Sequence, residues 1–165
     1  GLESTVYFKS SGPTSTYGAH IAHVAIDSDT GKVEVLRYVT VEDVGRSINP
    51  LLVHGQSVGA AAQGIGATML EELVYSDNGQ LLTTTFMDYL LPTSRDVPVI
   101  ESILLEEIPS AINPLGVKGA GEGGIIATGA ALANAVANAI GVNVTDLPLS
   151  PSKVLEWMGK RARST

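Results

Sequence analysis

The pattern of apolar and polar positions changes period several times along the chain, and each change marks an element. Residues 19–26 and 33–41 are rich in β-branched side chains. Between them lies Asp27-Ser28-Asp29-Thr30-Gly31-Lys32, a turn-forming segment, so the spacing predicts a β-hairpin. Asn49-Pro50 signals a helix start, with Asn as the cap and Pro at the first helical position, where its missing N–H costs nothing. That helix is expected to run to about Leu73. Along it, Gly55, Gly59, Gly64 and Gly66 would each weaken an isolated helix, which suggests close packing against another backbone or a ligand. Gln56 and Gln63 lie seven apart and share a face. Their amides could be exposed, could cap buried backbone, or could hold a polar ligand.

Residues 73–75 and 81–86 flank Ser76-Asp77-Asn78-Gly79, where Asn-Gly predicts a second hairpin. Residues 99–107 read as a further strand. A proline-bounded loop over 109–116 then leads to an uncharged, alanine-rich run read as a buried helix over 123–140. Ser150-Pro151 introduces a short terminal helix carrying Leu155, Trp157 and Met158. Together these elements predict an α+β fold in which β-hairpins pack with long buried helices. The 165 residues are read as a single domain, with no internal repeat at solenoid periods.

Charged residues make up only 16%, against a usual ~25%, so more surface is expected to be covered than one globule covers by itself. A partner chain or domain is implied. The net charge of −7 opposes nucleic-acid binding, and the one basic cluster, Lys160-Arg161-Arg163, reads as a solvated tail. There is no cysteine, so this chain supplies neither a disulfide, nor a thiolate nucleophile, nor iron–sulfur ligands. Gly1 to Ser15 lacks the pattern of a signal peptide, and a cytoplasmic location is expected. The missing initiator Met leads to the expectation of a processed or excised fragment. The stretch 123–145 is uncharged for the length of a membrane span, but its glycines, threonines and asparagines favour a buried soluble helix over membrane insertion.

Several motifs fail on their context. Asp27 and Asp29 mimic the start of a calcium loop, yet the glycine comes one residue early and Tyr38 stands where a bidentate Glu is needed. Gly55-Gln56-Ser57-Val58-Gly59 matches a hydrolase nucleophile elbow. All three histidines precede Ser57, however, and the motif lies within a predicted helix. Gly119, Gly121 and Gly124 fit a dinucleotide fingerprint, but no strand precedes them, and Glu122 would put negative charge where a pyrophosphate must sit. His20 and His23, three apart on a strand, point to opposite faces, so no metal site is predicted from His20, His23 and His54.

The most informative stretch is Asn113-Pro114-Leu115-Gly116-Val117-Lys118-Gly119-Ala120-Gly121-Glu122-Gly123-Gly124, which places one carboxylate inside a glycine-rich loop. Glycines let backbone N–H groups approach a ligand closely, and Glu122 is the group in the loop that can accept a proton. A solvated turn with a surface Glu is the competing reading.

Three stretches in order carry a resemblance: Asp43-Val44-Gly45-Arg46-Ser47-Ile48-Asn49-Pro50, then Gly55-Gln56-Ser57-Val58-Gly59 with Gln63-Gly64-Ile65-Gly66, and the loop ending in Glu122. Asp88-Tyr89-Leu90-Leu91-Pro92 fits between them. The chain resembles the C-terminal part of the large, molybdopterin-binding subunit of the molybdenum hydroxylases, a family that includes xanthine dehydrogenase, aldehyde oxidoreductase and carbon monoxide dehydrogenase. The resemblance implies that Glu122 acts as a base beside a molybdopterin-type molybdenum cofactor during oxidation of a substrate with water-derived oxygen. It implies that Gln56 lies close to that cofactor, and that the backbone of Lys118, Gly119, Ala120 and Gly121 helps to enclose it.

Iron–sulfur clusters and FAD are then expected only in partner chains or domains, in keeping with the absence of cysteine here. The expected partners are the rest of the subunit, an iron–sulfur subunit and a flavin subunit, and alone the chain is expected to be inactive. Gly123-Gly124 departs from the Pro-Pro of animal-type xanthine dehydrogenases, and looks closer to bacterial carbon monoxide dehydrogenase-like and N-heterocycle or aldehyde-oxidising branches. Substrate identity stays open. Two alternatives stand beside this reading: a non-catalytic assembly module of the same complex, and a serine hydrolase using Ser57.

Overall fold

The first hairpin forms because Asp27 satisfies its own turn, its carboxylate accepting from the N–H groups of Asp29 and Thr30 at 2.8 and 3.0 Å. In the computed structural model, which describes residues 1–162, this turn joins β1 (Tyr17–Ile26) to β2 (Val33–Asp43). The two pair antiparallel, with a register shift at His23/Val24 that leaves Leu36 as the extra residue on β2. The bulge has a large consequence. Before it, Val33 and Val35 face inward; after it, the inward positions are Tyr38, Thr40 and Glu42. The polar end of β2 is thus aimed into the molecule.

Asn49 caps the next helix, its side chain accepting from the Leu52 N–H, and α1 runs over Pro50–Met69. It ends earlier than Leu73 because the N–H groups of Leu70 and Glu71 both turn back to the Gly66 carbonyl. β3 (Ile100–Leu105) then pairs parallel to β2, giving a three-stranded sheet in the order β1-β2-β3 with α1 in the crossover. The second predicted hairpin reduces to a single bridge between Tyr75 and Leu81. Its flanks are mostly exposed, so no buried face pins a longer ladder.

The expected helix over 123–140 is two helices, α2 (Gly123–Ile126) and α3 (Thr128–Ile140). The ladder breaks at Ala127, beside Thr128, whose hydroxyl donates to the Gly124 carbonyl at 2.9 Å. By length and composition Gly123–Ile140 could cross a membrane, but here it folds against α1 and β1. It is also less buried than the sequence suggests. Only the stripe Thr128, Leu132, Val136 and Ile140 is enclosed, at the four-residue spacing of one helix face. α1 likewise buries one side and leaves Gln56 and Gln63 exposed. Finally, α4 (Pro151–Ala162) seats Val154 in the core. Lys160 pairs with Glu156 four residues earlier, while Arg163 of the basic cluster lies outside the described residues.

The core joins Val35 and Tyr38 of the sheet to Ala61, Ile65, Leu132, Val136, Ile140, Leu149 and Val154. Leu132 is fully enclosed at its centre. Leu132→Ala is expected to lower stability by about 2–5 kcal/mol through lost burial and the cavity left behind. Urea unfolding midpoints of the two proteins check this, and a change below about 0.5 kcal/mol, the usual scale of surface substitutions, would mean that α3 is not held by this contact.

Candidate functional site

Asp43, the last residue of β2, gathers the loop that carries Glu122. Its Oδ1 accepts from the Gly45 N–H at 2.9 Å and from Lys118 Nζ at 3.0 Å, while its Oδ2 accepts from the Ile108 N–H at 3.1 Å. Its own carbonyl accepts from the Thr16 hydroxyl at 2.8 Å. The Asp43 and Lys118 side chains are only 5% and 7% exposed, and the Lys118 ammonium also lies 4.1 Å from the centre of the Tyr17 ring. The Gly45 N–H, together with Lys118 and the Ile108 N–H, outweighs burial and holds the Asp43 carboxyl below the usual aspartate range. Burial opposes the charge on Lys118, yet Asp43 and Tyr17 keep its ammonium more basic than usual.

Backbone contacts continue the frame. The Lys118 N–H donates to the Val44 carbonyl and the Gly119 N–H to that of Thr14, while the Gly119 carbonyl accepts from Thr16. Asn113 closes the loop from within, its amide donating to the Val117 carbonyl and its oxygen accepting from the Val117 N–H. Lys118 and Gly119 are therefore committed to the scaffold. Beyond them the N–H groups of Ala120, Gly121 and Glu122 donate to nothing among the described residues. Glu122 stands exposed at the start of α2, and its carboxylate caps nothing.

α1 supplies the facing wall. Gly124 lies so close to the Ser57 carbonyl that a Cβ there would sit 2.4 Å from it, which brings the residue before Ser57, Gln56, to the same helix junction. The Gln56 amide has no partner among the described residues, and Gly55, Gly59 and Gly121 face open space. In contrast Gly64 packs tightly on Thr128, and Gly66 on Pro92 and Glu71. Close packing thus explains two of the four helix glycines, and the open pair flanks Gln56. Gln63, two turns farther on, is exposed next to the Gly64–Thr128 contact. Free N–H donors, an unpartnered amide and a backbone bare of side chains form a wall suited to a polar, anionic group, with Glu122 at its edge.

Behind this wall lies a buried polar cluster that the sequence did not reveal. Glu42, 1% exposed, accepts from the Ser57 hydroxyl at 2.5 Å, and Ser57 lies 2.8 Å from the Thr40 hydroxyl. His20 Nδ1 meets the Tyr38 hydroxyl at 2.8 Å. Burial lowers the His20 pKa, with Glu42 and the Gly123 backbone opposing, and burial raises that of Tyr38. An inward alternation of polar residues along β2 was the available signal, but the bulge at Leu36 shifts it by one residue. Ser57 is 1% exposed in mid-helix and committed to Glu42, so it is no nucleophile. His54 is held by Ser102 at 3.0 Å, and no cluster of three metal-ligating side chains exists among the described residues.

Linkage gives a test of the scaffold. A depressed Asp43 pKa contributes stability above the ordinary aspartate value of about 3.9, and this is lost as pH falls through the lower folded value. The stability gap between wild type and Asp43→Asn should therefore be constant near neutral pH and close in acid. The elevated Lys118 pKa contributes below about 10.4 and fades only at more alkaline pH. Urea titrations from neutral pH into acid measure the gap; one that stays constant throughout would remove Asp43 from this role.

Residues 1–98 match the family described as molybdopterin cofactor-binding domain. The chain is 42% identical over 156 residues to the 6-hydroxypseudooxynicotine dehydrogenase complex subunit gamma of Paenarthrobacter nicotinovorans, covering 93% of this chain and 20% of that one. It is 37% identical over 143 residues to the aldehyde oxidoreductase molybdenum-binding subunit PaoC of Escherichia coli strain K12, covering 86% and 20%. Among solved structures, quinoline 2-oxidoreductase from Pseudomonas putida 86 superposes with a TM-score of 0.82 at 43% identity, over 87% of this chain and 18% of that one. The chain thus spans about a fifth of the length of these relatives. The match over residues 1–98 and the 42% identity over 93% of the chain show that it belongs to the molybdopterin cofactor-binding family of the molybdenum hydroxylases.

Proposed function

We propose that this chain is one domain from the C-terminal part of the molybdopterin-binding region of a molybdenum hydroxylase, and that Glu122 is the base of the reaction. The observation that carries the reading is the placement of an exposed, uncapped carboxylate at the edge of a wall of free N–H groups and bare helix backbone. When bound, the molybdenum cofactor supplies a two-electron redox centre. The chain's own part is to hold and orient. The N–H groups of Ala120, Gly121 and Glu122 and the amide of Gln56 offer donors to the cofactor's polar groups, while Lys118 and Gly119 brace the loop from behind. The Glu122 carboxylate takes a proton from the oxygen nucleophile at the site as that oxygen attacks the substrate carbon.

By their names the relatives act on 6-hydroxypseudooxynicotine, an aldehyde and quinoline. The substrate here is accordingly an aldehyde or an N-heterocycle with an electron-poor carbon. Electrons must leave through other chains or domains, since no cysteine is available to hold a cluster. Iron–sulfur and flavin partners fill that role, with the remainder of the subunit closing the cofactor pocket.

Two substitutions test the assignment in the assembled enzyme. Gln56→Ala should lower cofactor occupancy, since a lost hydrogen bond that strands a buried partner costs about 1–3 kcal/mol, while Gln63→Ala on the same helix face should leave it unchanged. Molybdenum analysis of the purified complexes separates them; equal occupancy in both would make Gln56 merely structural. Glu122→Gln keeps the shape of the side chain and removes the base, so it should bind molybdenum normally yet slow substrate-driven reduction of the iron–sulfur and flavin chromophores by about 10²–10⁴. A fully metallated Glu122→Gln enzyme reduced at the wild-type rate would end the assignment.

A further inference from the structure

The two glycines that follow Glu122 rest on the two partners of one buried hydrogen bond. A Cβ on Gly123 would lie 2.2 Å from Glu42 Oε2, and one on Gly124 would lie 2.4 Å from the carbonyl of Ser57, the residue whose hydroxyl donates to Glu42 Oε1. The direction of the chain follows from proton counting. Ser57 spends its only proton on Glu42, so Thr40 donates to Ser57. Glu42 Oε2 is then left buried with no partner in the protein. An unpartnered carboxylate oxygen is costly, and Glu42 also lines, with Thr16, His20 and Gly123, a pocket of about 260 Å³ that is open on the side of the exposed Tyr17 and Ile126. The space is large enough for water, and Glu42, Thr16 and His20 are the polar side chains that line it.

We infer that Glu42 is a positioning residue: its free oxygen binds a water at the base of this pocket, and the hydrated carboxylate, clamped by Ser57, forms the seat on which the Gly123-Gly124 link holds Glu122 in place. The inference rests on the reading of Glu122 as the base. Nothing in the loop itself fixes Glu122, whose side chain caps no N–H. Its orientation is set from below, by contacts at the next two residues. Glu42 touches neither cofactor nor substrate in this scheme and acts only through the loop.

The test uses the assembled, metal-loaded enzyme with three readouts. A crystal structure of the wild-type complex should show a water within about 3.2 Å of Glu42 Oε2. Glu42→Leu fills a similar volume without an acceptor, and should lower kcat about tenfold or more with KM within about threefold, because small misplacements of a reacting group cost up to about 10². Glu42→Gln can still accept from Ser57 and donate to the pocket water, and should return kcat to within about threefold of wild type. A dry pocket beside Oε2 overturns the inference. So does a metallated Glu42→Leu enzyme at the wild-type rate, or a Glu42→Gln enzyme as slow as Glu42→Leu, which would mean that charge rather than position matters. If Glu42→Leu fails to load molybdenum, the water and the glutamine variant still decide. Failure of the base reading is distinguishable: Glu122→Gln would then react normally while the water beside Glu42 remained.

Discussion

The buried pair of Asp43 and Lys118 is the interaction on which the site depends. Four chain segments meet there: the end of β2, the turn through Gly45, the strand exit at Ile108 and the loop before Glu122. Taking two charges out of water is costly, and the pair is tolerable because each charge has further partners besides the other. Asp43 accepts three hydrogen bonds, and Lys118 adds the Tyr17 ring to its carboxylate. A hydrophobic contact could have joined these segments without fixing their directions. Directional bonds also set the register of the loop, which matters where the product is the position of one carboxylate.

The same economy explains why the polar residues of β2 collect at one end. Upstream of Leu36 the strand contributes Val33 and Val35 to the packed side; downstream it contributes Tyr38, Thr40 and Glu42. Tyr38 still serves the core with its ring while its hydroxyl meets His20. Thr40 and Glu42 face Ser57, so α1 is joined to the sheet by hydrogen bonds at its polar end and by Ala61 and Ile65 farther along. A core that becomes polar toward the site gives up some burial energy there and gains a fixed orientation of α1 against the Glu122 loop.

Elements set by local chemistry were legible in the sequence. Asp27 specifies its turn, Asn49-Pro50 its helix start and the β-branched run its third strand, each within a few residues. What failed was set at a distance. Asn78-Gly79 makes a turn, but a ladder beyond it needs a buried face that its exposed flanks lack. The break at Ala127 depends on Thr128, which is wedged against Gly64 of another helix. In the candidate site, Glu122 was conspicuous as a lone carboxylate among glycines, whereas spacing put Gln56 only on a face with Gln63 and its place beside a cofactor came from the resemblance. Glu42 stayed hidden because one bulged residue reverses which side of β2 faces inward. For Lys118 the resemblance spoke only of the backbone, and nothing local foretold that its side chain is turned to Asp43.

Exposure around the site bears on how it works. Ile48 and Leu51 precede the Gln56 face, and Ile126 follows Glu122; they are 64%, 80% and 76% exposed. Apolar side chains this uncovered at a polar wall suit the rim of a protein interface. On the proposed reading the rest of the subunit supplies that cover, and with it the change from water to a low-dielectric surround. A base works best when its proton affinity is set by the closed site and not by solvent, and hydrogen-bond donors gain strength as water leaves. On that reading the open wall is the preformed half of the site: Asp43, and by our inference Glu42, fix its geometry, while its electrostatics wait for the covering half.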